Sequence, residues 1–60
     1  MPYKLIGMEE MAARKAISSN NFMWQIIERD GCKIPHYKNL RLDRVNLIID
    51  HGIVLNAFIG

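Results

Sequence analysis

Between residues 8 and 19 apolar side chains return every three or four positions. Met8, Met11, Ala12 and Ala16 form one stripe, Ala13 and Ile17 widen it, and Arg14 and Lys15 fall outside it. That period matches an α-helix with one apolar face, so a helix is predicted over residues 8–19. Glu9 and Glu10 stand in its first turn, where carboxylates meet the positive end of the helix dipole. Glu10 precedes Arg14 by four residues, the spacing of a surface ion pair. Ser18-Ser19-Asn20-Asn21 ends the helix. The period then changes: Trp24, Ile26 and Ile27 supply the aromatic and β-branched side chains of a strand over residues 22–29, followed by the charged turn Glu28-Arg29-Asp30-Gly31.

Residues 30–42 sustain neither period. Gly31, Pro35 and Asn39 discourage regular structure, so about a dozen residues are expected in one exposed loop. In residues 44–50, Val45, Leu47 and Ile49 alternate with Asn46 and Ile48, as in a central strand with one partly covered face. Asp50-His51-Gly52 has tight-turn chemistry, and residues 53–59 read as the returning strand of a hairpin. The expected architecture is one domain over residues 1–60 of class α+β: one helix packed on a small mixed β-sheet, with a long exposed loop.

Composition narrows the picture without naming a partner. A chain of 60 residues that is 50% hydrophobic and 23% charged suits one small globular core rather than a disordered or fibrous chain. A net charge of +2 is far from the clustered basic face of a nucleic-acid binder. The single cysteine, Cys32, excludes an internal disulfide and favours a reducing compartment. No signal-peptide pattern and no apolar run of membrane-spanning length occurs, so a soluble, cytoplasmic protein is expected.

Leu5-Ile6-Gly7, Ala13, Lys15 and Ile17, Gln25-Ile26-Ile27, and the run from Leu40 to Asp50 together form a pattern that resembles the potato inhibitor I family of serine protease inhibitors. The ending from Asp43-Arg44-Val45-Asn46 to Gly60 is most similar to the small bacterial members. The resemblance covers nearly the whole chain, with one extra residue in the loop and a final hairpin two residues shorter than in the plant members. It implies a rigid loop that enters a protease active site like a substrate. Counted back from Arg41-Leu42-Asp43-Arg44, the family's scissile bond falls at Lys38-Asn39. The partner-binding loop is then His36, Tyr37, Lys38, Asn39 and Leu40, and a lysine in the primary pocket suits a trypsin-like, carboxylate-bearing site. The resemblance further implies loop support from Arg41, Arg44 and the carboxylate of Gly60. Asn46 stands where plant members carry a second supporting arginine, and Tyr37 replaces a loop-bracing threonine.

No enzymatic chemistry is expected. Gly-rich phosphate loops, paired metal-binding histidines and nucleophile elbows are absent from the sequence. Cys32, His36 and His51 are too few for a structural zinc site and lie in unrelated elements, so neither metal nor cofactor is expected. Methionines at positions 8, 11 and 23 read as gap-fillers in a small core. The leading expectation is a serine protease inhibitor. The alternative is a non-catalytic interaction protein, such as a virus-encoded regulator, that uses the same scaffold to block a non-protease enzyme. A nucleic-acid surface built from Lys33, Lys38, Arg41 and Arg44 around Tyr37 is the weakest reading.

Overall fold

The structure, a computed structural model, describes residues 4–60. It contains helix α1 (Glu10–Ser19) and strands β1 (Met23–Arg29), β2 (Cys32–Lys33), β3 (Arg44–Asp50) and β4 (Ile53–Ile59). The strands form one sheet in the order β2-β1-β3-β4. The central pair β1 and β3 is parallel, and the two outer pairings are antiparallel. The α+β class is therefore as expected, with one helix against a mixed sheet.

The core lies between α1 and the sheet. It comprises Leu5, Ala13, Ile17, Val45, Leu47, Ile49 and Val54, all buried. Strand side chains alternate between faces, so Val45, Leu47 and Ile49 meet the helix while Arg44, Asn46 and Ile48 point to the opposite face. In the parallel register Trp24 and Ile26 lie beside Val45 and Leu47 and extend the helix-facing side. Among the described residues no helix is long and apolar enough to cross a membrane.

Three expectations are revised by the backbone. The helix begins at Glu10 rather than Met8, because the preceding residues pair with the start of β4. The Gly7 N–H donates to the Val54 carbonyl at 2.8 Å, the Val54 N–H donates to the Met8 carbonyl at 2.8 Å, and the Glu10 N–H reaches the Gly52 carbonyl at 2.9 Å. The apolar stripe is also rotated. Ala13 and Ile17 are its centre, with no exposed surface, while Met11 is 56% exposed. Finally, the expected loop loses its first residues to a hairpin. Asp30 and Gly31 both have positive φ, 51° and 79°, the pattern of a type I′ turn whose twist matches the flanking strands. Cys32 and Lys33 return as β2 against β1, and the Ile34 N–H donates to the Ile27 carbonyl at 3.0 Å. Residues 34–43 remain outside helix and strand. His51 and Gly52, at φ 50° and 77°, make the same kind of turn between β3 and β4, as the sequence anticipates.

Across the core edge, the expected Glu10–Arg14 pair forms and gains a third member. Arg29 of β1 donates to the Glu10 carboxylate at 2.6 and 3.0 Å, and the Arg14 guanidinium lies 4.4 Å from the centre of the Trp24 ring. One carboxylate thus ties α1 to β1. The Arg29 hydrogen bond is the main reason the Glu10 pKa is held below its ordinary value.

Candidate partner-binding loop and its supports

The face of the sheet turned away from α1 carries polar side chains at one end. Parallel pairing puts Gln25 beside Asn46 and Met23 beside Arg44, and antiparallel pairing puts Phe58 on the other side of Asn46. Residues 34–43 cross from β2 to the start of β3 over this end, and their main chain is bound to it.

Gln25 uses both ends of its amide. Its Oε1 accepts the Tyr37 N–H at 3.1 Å, while its Nε2 donates to the Tyr37 carbonyl at 2.9 Å and to Asn46 Oδ1 at 2.7 Å. Arg44, 4% exposed, donates from Nη2 to the Asn39 carbonyl and from Nε to the Gly60 main-chain oxygen at 2.8 Å. Asn46 Nδ2 donates to the same Gly60 oxygen at 3.1 Å, and the Gly60 N–H returns a bond to the Arg44 carbonyl at 3.0 Å. A Cβ on Gly60 would lie 3.0 Å from Asn46 Nδ2, so the close approach of these groups favours a residue without a side chain.

The main chain is therefore gripped at Tyr37 and Asn39, and Lys38 lies between the grips. Lys38 and Asn39 are exposed, Tyr37 is 76% exposed and Leu40 78% exposed. His36 is half-buried, with Nδ1 2.7 Å from the Ile34 carbonyl, which makes Nδ1 the donating nitrogen. A groove of about 300 Å³ runs beneath, lined among others by Ile27, His36, Lys38, Arg44 and Phe58.

Tyr37, Lys38, Asn39 and Leu40 lie on one exposed stretch with half-buried His36 at its start, and Arg44 and Gly60 lie beneath it, joined to each other and, through Arg44, to Asn39. Arg41 behaves differently. Its guanidinium forms a two-pronged ion pair with Asp43, at 2.9 Å for each contact, and makes no hydrogen bond to the stretch it was expected to support. This pair, led by its hydrogen bonds, lowers the Asp43 pKa and raises that of Arg41. Only Leu42 separates the partners along the chain, which puts the Asp43 carboxylate within direct reach of the Arg41 guanidinium. Gln25 is the support that sequence reasoning missed, and Asn46 does more than fill the place of an arginine. The available signal was a glutamine in an apolar strand, matched by an asparagine in a neighbouring apolar strand.

Elsewhere, Asp30, Asp50 and His51 gather where the two type I′ turns meet, with potential ligand atoms within 4.8 Å of one another. The group is closed by its own hydrogen bonds: the His51 N–H donates to Asp30 Oδ1 at 2.7 Å, and His51 Nδ1 lies 3.0 Å from Asp50 Oδ2. Cys32 is exposed on β2 and stands apart from this group. Of the four basic residues near Tyr37, Arg44 is buried and Arg41 is paired, so the cationic stretch is not a continuous face.

These features define a small α+β domain that clamps a short exposed main-chain segment onto its sheet by side-chain hydrogen bonds. Compared with protein-family models, curated proteins and solved structures, the chain matches none.

Proposed function

We propose that the protein inhibits a serine protease by presenting residues 36–40 as a substrate-like segment, in the manner of the potato inhibitor I family. Lys38 enters the primary specificity pocket, where a carboxylate suits its ammonium group, and Lys38-Asn39 is the bond offered to the nucleophile. The observation that carries this reading is the double grip on the main chain. Gln25 holds Tyr37 and Arg44 holds Asn39, one on each side of Lys38, while the Lys38 side chain is exposed. A segment ordered before it binds loses less conformational entropy on association than a free peptide does. After cleavage the two new ends would stay tethered to Gln25 and Arg44, which favours resealing over departure. The strand order with a parallel central pair, and the helix on the far face, support an inhibitor-like fold.

The test is a titration against trypsin, chymotrypsin and subtilisin, following residual activity and cleavage at Lys38-Asn39 together. Tight inhibition of trypsin that is lost in Lys38→Ala is the expected result. Rapid cleavage without inhibition would overturn the proposal. A second reading, a scaffold that blocks a non-protease enzyme, is favoured by the apolar character of the exposed side chains, since Tyr37 and Leu40 outnumber the one free cation among residues 36–40. Indifference to all three proteases would select it.

A further inference from the structure

We infer that recognition of the target continues past Asn39 to Leu42, whose side chain seats in an apolar depression on the side of the protease cleft that accepts residues after the scissile bond. This rests on the inhibitor reading above and extends its contact surface beyond residues 36–40.

A single exposed leucine is ordinary on a protein surface. The setting of Leu42 is not. The main chain is anchored before it, where the Asn39 carbonyl accepts from Arg44, and after it, where the Asp43 carbonyl accepts the Met23 N–H at 2.7 Å. Between these anchors Leu40 and Leu42 are each 78% exposed. The cation between them, Arg41, is occupied by Asp43 through two hydrogen bonds. That pair closes the turn around Leu42 and removes Arg41 as a free recognition charge. Beside that half-exposed ion pair, the turn offers a partner the apolar side chains of Leu40 and Leu42. Both leucines are held in water by a segment whose ends are fixed, so burying them on a partner gains the hydrophobic term with little ordering of the chain.

Reach fixes where the complementary site lies. Leu42 follows Lys38 by four residues, and an extended chain advances at most about 3.5 Å per residue, so the apolar depression is within about 14 Å of the pocket that takes Lys38. The target class is thus a serine protease with a carboxylate-bearing primary pocket and an apolar surface at that distance. Arg41 and Asp43 act as positioning residues for Leu42.

The experiment compares inhibition constants for trypsin, with melting temperatures, across the wild type, Lys38→Ala, Leu42→Ala, Leu42→Asp and Met11→Ala. Met11 is a control, since it is 56% exposed on the helix and so on the other side of the sheet. Leu42→Ala is expected to weaken inhibition about tenfold and Leu42→Asp about a hundredfold, equivalent to about 1.4 and 2.8 kcal/mol. Met11→Ala should match the wild type, and the Leu42 variants should melt as the wild type does. If Lys38→Ala abolishes inhibition while both Leu42 variants inhibit like the wild type, the inference falls and the inhibitor reading stands. If the wild type does not inhibit trypsin, the trypsin-like target is wrong and the Leu42 contact falls with it.

Discussion

Replacing Gln25 with methionine keeps the length of the side chain and removes both of its hydrogen-bonding ends. Three bonds are lost, two to the Tyr37 main chain and one to Asn46. The Tyr37 groups are exposed and regain water, so each lost bond there costs about 1 kcal/mol. Asn46 is only 6% exposed, and leaving its Oδ1 without a partner costs a further ~1–2 kcal/mol. The two Tyr37 bonds hold the loop, and their loss of about 2 kcal/mol raises the population of the open loop roughly thirtyfold, at 1.4 kcal/mol per tenfold. Global stability should fall by about 3 kcal/mol, a melting shift of more than 10 °C in a domain of this size. Amide exchange at Tyr37 and the rate of trypsin cleavage at Lys38-Asn39 read the local effect. Both should rise about thirtyfold. A lower melting temperature with unchanged exchange and unchanged cleavage would refute the reasoning, because it would make Gln25 a packing residue with no hold on the loop.

Arg44→Met retains the aliphatic stem but removes the bonds to Asn39 and Gly60, so it should cost roughly 3 kcal/mol in urea denaturation, since bonds to charged donors are worth about 1.5–3 kcal/mol each; a loss below about 1 kcal/mol would show that water replaces them freely. Glu10→Gln should destabilise the protein by about 0.5–1 kcal/mol at neutral pH, a screened value because Arg29 is 39% exposed. The Glu10 pKa is depressed in the fold, chiefly by Arg29, so the stabilisation is complete above the ordinary value of 4.5 and disappears as pH falls through the lower folded value. Wild type and variant should therefore converge in acid, and a gap that widened as pH fell would contradict the sign. Leu47→Ala, at a position with no exposed surface, should cost about 2–5 kcal/mol and leave little folded protein at 37 °C, as measured by circular dichroism.

The period of apolar residues placed the helix, β1, β3 and β4 within two residues of their observed bounds, because burial against a single core imposes that period directly. It misjudged the helix face. Met11 and Ala12 fit the stripe as well as Ala13 does, and only the position of the sheet decides which of them is covered. The short strand β2 was missed because two residues carry no period. Its turn is legible in Glu28-Arg29-Asp30-Gly31, but Cys32 and Lys33 fall within the stretch expected to be loop.

In the candidate site, the resemblance directs attention to Arg44 and Gly60 and not to Gln25. Its role depends on a pairing 21 residues away, with Asn46, and on a carbonyl 12 residues away, at Tyr37. Arg41 and Arg44 look alike in sequence as cations near the loop. The fold separates them: Arg44 begins a central strand and points under residues 37–39, whereas Arg41 lies before it and meets Asp43 first. By itself the sequence determined which segments bury an apolar face and where the chain turns, since propensity, period and turn chemistry are local. Which polar side chains clamp the exposed segment was decided only by tertiary structure, because strand register and crossing, not spacing along the chain, bring a buried donor within 3 Å of its acceptor.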